Sequence, residues 1–167
     1  MTYAIQRVRL LNYRSIAACD VSLEPLTFLV GVNGSGKSNF IDALRFVSDA
    51  LNVSLELALK LRGGFAEVSR RATKTLRKFG LCIDLVLKNG STGQYAFEIT
   101  MSGHGGFIVK RERCWLNYPG TTKLYALFEV MDGKVVRTSA SVAPAALPDR
   151  LFLVNASGLP EFRPVYD

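Results

Sequence analysis

Gly31-Val32-Asn33-Gly34-Ser35-Gly36-Lys37-Ser38 puts three glycines, a lysine and a serine into eight residues, in the spacing G-x-x-x-x-G-K-[ST]. Each residue type has a physical use there. Glycines let the backbone close around an anion without Cβ clashes. Successive N–H groups then line a concavity that suits a polyphosphate. Lys37 has the reach and charge for β- and γ-phosphates, and a hydroxyl at Ser38 can ligate Mg²⁺. The stretch from Asn33 through Gly34, Ser35, Gly36, Lys37 and Ser38 to Asn39 is the expected seat of ATP and Mg²⁺.

Such a loop works only between a strand that delivers it and a helix whose positive dipole end faces the phosphates. Residues 27–30, Thr-Phe-Leu-Val, form a short apolar run expected of a strand buried on both faces. After the loop, Phe40, Ala43, Leu44, Val47, Ala50 and Leu51 recur at helical spacing and predict a helix over 37–49 or beyond.

The remaining elements follow from periodicity. Residues 3–30 read as β structure, with a turn at "NYRS" and a second strand over 17–23. Val53, Leu55, Leu57, Leu59 and Leu61 alternate as in a strand, but their neighbours are helix formers, so a continued or second helix is expected, ending at Gly63-Gly64. From Gly80 onward the pattern is β: strands around 81–88, 94–101, 107–116, 124–130 and 134–139, with a last short strand at 151–154 and the start of a helix in "SGLPEFRPVYD". The fold class expected is α/β, a P-loop NTPase lobe whose mixed or antiparallel sheet packs on the loop helix, with a β-rich subdomain at about 79–155.

Composition narrows the function classes. The 167 residues are 49% hydrophobic, enough for one core. No uncharged apolar run is long enough for a membrane span, and the N-terminus lacks a signal-peptide core, so a cytoplasmic protein without membrane partners is expected. Cys19, Cys82 and Cys114 are odd in number and far apart, as for reduced core thiols. His104 is the only histidine and has no cysteine pair nearby, which argues against zinc. The net charge of +7 is concentrated: seven basic side chains but only Glu67 as an acid lie in residues 60–78. Arg70, Arg71, Lys74 and Arg77 in this run are the candidates for phosphates of a nucleic acid. The alternative is a solvated face.

Hydrolysis needs more than the loop: a carboxylate near Mg²⁺ and a group that positions water. Asp84, ending "GLCID", and Glu129, ending "LYALFE", are weak candidates for the acid, and no "LSGG"-like signature occurs.

The stretch "GVNGSGKSNFIDALRFV" resembles the N-terminal lobe of ABC-type ATPases of the RecF/SMC group, in the AAA family, and is most similar to those of bacterial stress and phage-defence operons. Asn33, Asn39 and Asp42 fit that group's pattern beyond the general loop, and "LLNYRSI" is similar to its L-x-N-[FY]-[RK]-S. The resemblance implies that Arg14 lies beside the phosphates. It implies a C-terminal lobe carrying the signature and acid pair, absent from these residues, and a second copy completing an ATP sandwich. It also places a Mg²⁺-contacting loop near 155–157, where Asn155 stands in place of the group's glutamine. The fragment by itself is then expected to be inactive as a hydrolase. Two other readings are a small stand-alone P-loop kinase, with the basic run as its lid, and a non-hydrolysing interaction module.

Overall fold

A computed structural model describes residues 4–70, 77–103 and 106–166. Among these residues, seven strands form one sheet: β1 (Ala4–Tyr13), β2 (Ile16–Ser22), β3 (Lys78–Val86), β4 (Thr92–Met101), β5 (Phe107–Asn117), β6 (Leu124–Met131) and β7 (Lys134–Thr138). Their order is β2-β1-β3-β4-β5-β6-β7, and every pairing is antiparallel. The sheet is therefore not mixed among the described residues. β1 pairs directly with β3, so the sheet runs without a break from the N-terminal strands into the later ones.

Helices cover one face, five of them among the described residues: α1 (Lys37–Asn52), α2 (Leu55–Lys60), α3 (Phe65–Val68), α4 (Phe152–Ala156) and α5 (Arg163–Tyr166). The core row Val8, Ile83, Tyr95, Cys114 and Phe128 runs strand to strand by register beneath them. Alternation explains this one-sided burial: successive residues point to opposite faces, so each strand gives one apolar row to the helices and one row to solvent. The expected apolar stripe on α1 is observed, except that Leu44 is only half-buried and Phe46, outside that expectation, is fully buried. Phe46 meets Tyr13, Phe79 and Phe97 edge-on or tilted, with ring centroids 5.5–6.3 Å apart.

The alternating leucines at 53–61 do form a second helix. Ser54 caps it by accepting from the Leu57 N–H at 3.1 Å. Its end is closed by two backbone bonds, Gly64 N–H to Leu59 O and Gly63 N–H to Lys60 O. This closure needs a left-handed residue, and Gly63 (φ 87°) supplies it.

Two expected strands are not strands. Residues 151–154 turn into α4 because a buried carboxylate caps them. Glu112, fully buried on β5, accepts from the Phe152 and Leu153 N–H groups at 2.5 and 2.9 Å and from the Tyr95 hydroxyl at 2.9 Å. Four apolar residues alone do not distinguish strand from buried helix; a distant cap does. Residues 27–30 form no strand, as described below. Of the cysteines, Cys114 is buried, Cys19 is half-buried against the core, and Cys82 is half-buried on the opposite face of the sheet. His104 lies outside the described residues.

Burial pushes the Glu112 carboxyl up from 4.5 to about 7, against the pull of its backbone and Tyr95 donors. A folded-state value above the unfolded one means the folded protein holds this proton longer. The contribution of Glu112 to stability should be full below about pH 4.5 and decline as pH rises to about 7. Thermal unfolding of wild type minus Glu112→Gln across that range isolates the slope. A flat difference would contradict it.

Candidate functional site

Gly36 is the residue before α1, at φ 97°, and no side chain caps the helix. The helical ladder begins with Phe40 N–H to Gly36 O at 2.9 Å. The first-turn donors of Lys37, Ser38 and Asn39 therefore have no capping side chain, and no acidic residue occupies that turn. Uncapped donors at the positive end of a 16-residue helix, under a glycine turn, make an anion seat. A Cβ on Gly31 would meet Ser35 Oγ at 2.9 Å, so the mouth of the turn is closely folded. The Lys37 ammonium donates to Gly31 O (2.5 Å), Val32 O (2.8 Å) and Ser35 Oγ (3.2 Å), which places its charge inside the turn. Asn33, Gly34, Ser35 and Ser38 lie along the same stretch, and all four are exposed. The donor set fits a polyphosphate.

The β1–β2 turn is fastened to the loop helix from the other side. Asn39 Nδ2 donates to Ser15 Oγ at 2.6 Å. Asn12 and Arg14 are left-handed (φ 53° and 49°), and Tyr13 between them is fully buried. Asp42 on α1 holds this turn: its carboxylate accepts from the Tyr13 hydroxyl (2.8 Å), Arg14 Nε (2.8 Å) and Arg62 Nε (3.0 Å). Arg62 also pairs with Asp49 at 2.8 Å and lies over the Phe46 ring at 5.4 Å. Burial works against the Arg62 charge, but Asp49 and Asp42 outweigh it and raise its pKa further. Burial and the Asp42 carboxylate likewise drive the Tyr13 hydroxyl well above its ordinary value. Arg14 thus has one edge committed to Asp42.

Arg14, Ser15, Asn39, Glu67, Ser69 and Arg70 line a groove of about 440 Å³. The Arg14 N–H to Val68 O and Arg70 N–H to Asn12 O bonds (2.7 and 2.8 Å) bring the segment after α3 alongside the β1–β2 turn. Ser69 Oγ is buried there without a hydrogen-bond partner. Of the residues that the sequence singles out, the structure therefore gathers Arg14, Asn39 and Arg70 around one groove bordering the first turn of α1. Ser15, Asp42 and Ser69 have no role assigned from sequence; Ser15 and Asp42 carry a signal in their motif positions, whereas Ser69 carries none.

Other candidates lie apart. Asn155 sits on α4 and spends its amide on Ala145 O at 2.9 Å. Arg77 is half-buried just before β3, and its carbonyl accepts from Met101 N–H and the Thr100 hydroxyl. Arg71 and Lys74 lie outside the described residues. Two members of the basic run are structural: Arg62 is buried in its ion pairs, and Lys78 binds Glu98 at 3.0 Å. Asp84 and Glu129 both sit on the open sheet face, paired with Arg9 (2.6 Å) and with Arg111. No cluster of three metal-ligating side chains occurs among the described residues. No helix among them is long and apolar enough to cross a membrane.

The segment that delivers the loop differs from expectation. Residues 27–30 pair with none of the described strands. Leu26, Phe28, Val30 and Val32 are 74%, 77%, 91% and 78% exposed. A strand meant to be buried on both faces has no stable pairing until flanking strands reach it. Beside it, a hollow of about 560 Å³ runs from β2 to Gly34 and Lys37.

Comparison with known proteins agrees with this geometry. The AAA ATPase domain family matches residues 4–100, more than half of the chain. "DNA replication and repair protein RecF" from two strains of Porphyromonas gingivalis is 47% identical over 45 residues, which cover 26% of this chain and 12% of each relative. With its uncapped glycine loop on α1 and the β1–β2 turn pinned beside it, the chain belongs to the AAA ATPase domain family of nucleotide-binding ATPases, and its N-terminal region is RecF/SMC-like.

Proposed function

We infer that this chain is the ATP- and Mg²⁺-binding lobe of a RecF/SMC-like ATPase that works in DNA repair and maintenance or in phage defence. One observation carries the reading: a complete phosphate-binding loop is delivered by an apolar, exposed segment that joins none of the described strands. Such a segment fits parallel strands from a C-terminal lobe, which would also bring a signature and an acid pair. A second copy would face the loop across the nucleotide. In this reading the phosphates occupy the turn from Asn33 to Asn39 and Ser38 ligates Mg²⁺. Arg14 stands by the phosphates, and the nucleoside uses the groove lined by Ser69 and Arg70. Asn155 remains a proposed contact of the Mg²⁺ shell from α4.

DNA contact through Arg70, Arg71, Lys74 and Arg77 belongs to the same proposal. A stand-alone kinase is less well supported, because its compact parallel sheet has no counterpart in seven antiparallel strands. The test of the core claim is ATP affinity of the wild type against Lys37→Ala, expected to differ by about 100-fold.

A further inference from the structure

The sheet face opposite the helices carries an arrangement that nucleotide binding does not use. By register, Arg9, Cys82, Ala96, Arg113, Glu129 and Arg137 lie in one row across β1, β3, β4, β5, β6 and β7. Arg7, Asp84, Gln94, Trp115 and Leu127 form the next row. Two hollows of about 480 and 320 Å³ open on this face and share Arg111 and Arg113. The floor between the arginines is made of Gly80, Cys82 and Ala96, small side chains that keep it low.

The charges do not balance. Arg7 is matched by Asp20, Arg9 by Asp84, Arg111 by Glu129 and Lys78 by Glu98. Arg113 and Arg137 flank Glu129 by register, but that carboxylate is engaged with Arg111, and neither arginine has an ion-pair partner among the described residues. Between them and Gln94 stands Trp115, the chain's only tryptophan, half-buried on the solvent side of the sheet. An ordinary solvated face pairs its charges across strands and does not need an indole. Unpaired guanidinium groups beside an accessible indole, over a low floor, suit a flexible polyanion whose rings can stack: single-stranded nucleic acid.

We propose that the open sheet face is a binding trough for single-stranded nucleic acid, with Trp115 as the stacking platform and Arg113 and Arg137 as backbone contacts. The inference rests on the nucleic-acid part of the function proposed above but assigns it to a different surface from the basic run. A duplex, with its bases already stacked inside, cannot use Trp115 in this way.

Because Trp115 is the only tryptophan, its fluorescence reports on this surface alone. The 167-residue chain is titrated with oligothymidylate of about 20 nucleotides, a length that exceeds a typical single-module site. A duplex of equal length and heparin serve as comparisons. The expected result is quenching by the single strand, tighter than for the duplex, with affinity falling steeply as salt rises. Arg113→Glu with Arg137→Glu should weaken binding about tenfold or more and flatten the salt dependence. Trp115→Ala, followed by anisotropy of a labelled strand, should lose about tenfold. All three side chains lie on the solvent side of the sheet, and circular dichroism checks that the variants fold. Absence of quenching, equal affinity for duplex or heparin, or loss of binding on Arg70→Glu with Arg77→Glu but not on the Arg113/Arg137 reversal would each overturn the proposal. ATP affinity measured in the same samples separates this failure from failure of the nucleotide site.

Discussion

The purified 167-residue chain should release phosphate from ATP no faster than its Lys37→Ala variant. In the proposed reading the loop supplies donors and one positive charge for the phosphates, but phosphoryl transfer to water also needs groups that hold Mg²⁺ and orient the attacking water. The two acids that the sequence suggests are on the wrong face of the sheet: Asp84 is bound by Arg9 and by Gln94 at 2.8 Å, and Glu129 by Arg111. Asp42 is close to the loop helix's first turn but is spent on Tyr13, Arg14 and Arg62. Missing such groups costs several orders of magnitude in rate, so the expected difference from the control is none. Steady-state phosphate release checks it. Turnover clearly above the Lys37→Ala control would point to Glu67, which lines the groove with Arg14, as the overlooked acid.

Replacing Asp42 with alanine should cost about 2–4 kcal/mol of stability, a figure reduced from the range for fully buried pairs because the Asp42 side chain is 27% exposed. Its carboxylate ties β1, α1 and the turn after α2 together through Tyr13, Arg14 and Arg62, and the Arg62 side chain is only 7% exposed. Removing it leaves a buried guanidinium with Asp49 alone and a buried phenol without an acceptor. Urea unfolding of Asp42→Ala, with Asp20→Ala as a comparison, separates this from general charge loss. The Arg7–Asp20 pair is exposed, and its removal should change little. Equal midpoints for the two variants would show that Asp42 is not the fastening point.

The contrast between these two aspartates explains how far the sequence can be read. The loop, its helix and most strands are legible because each carries a local signal: fixed glycine spacing, a helical stripe, or alternation broken by turn residues. Phe46 is absent from the expected stripe, although it is the residue on which the aromatic cluster turns. The role of Asp42 depends on partners 20 to 29 positions away, which no local pattern encodes. The residues of α4 read as a strand for the same reason, since their cap comes from Glu112, 40 residues upstream. Residues 27–30 depart from expectation in a different way. Their composition is that of a central strand, but pairing is a property of neighbours, and none of the described strands receives them. The basic run looks like one patch in sequence, yet folding buries Arg62 and pairs Lys78, and it places Arg70 in the groove with Arg14 and Asn39.

Calorimetric titration of the chain with ATP, with and without Mg²⁺, tests the central claim most directly. Wild type should bind one nucleotide, more tightly with Mg²⁺ present, and Lys37→Ala should bind about 100-fold more weakly because the charge inside the turn is gone. Equal affinities for wild type and Lys37→Ala, or no binding by either folded protein, would contradict the assignment of the loop as an ATP site.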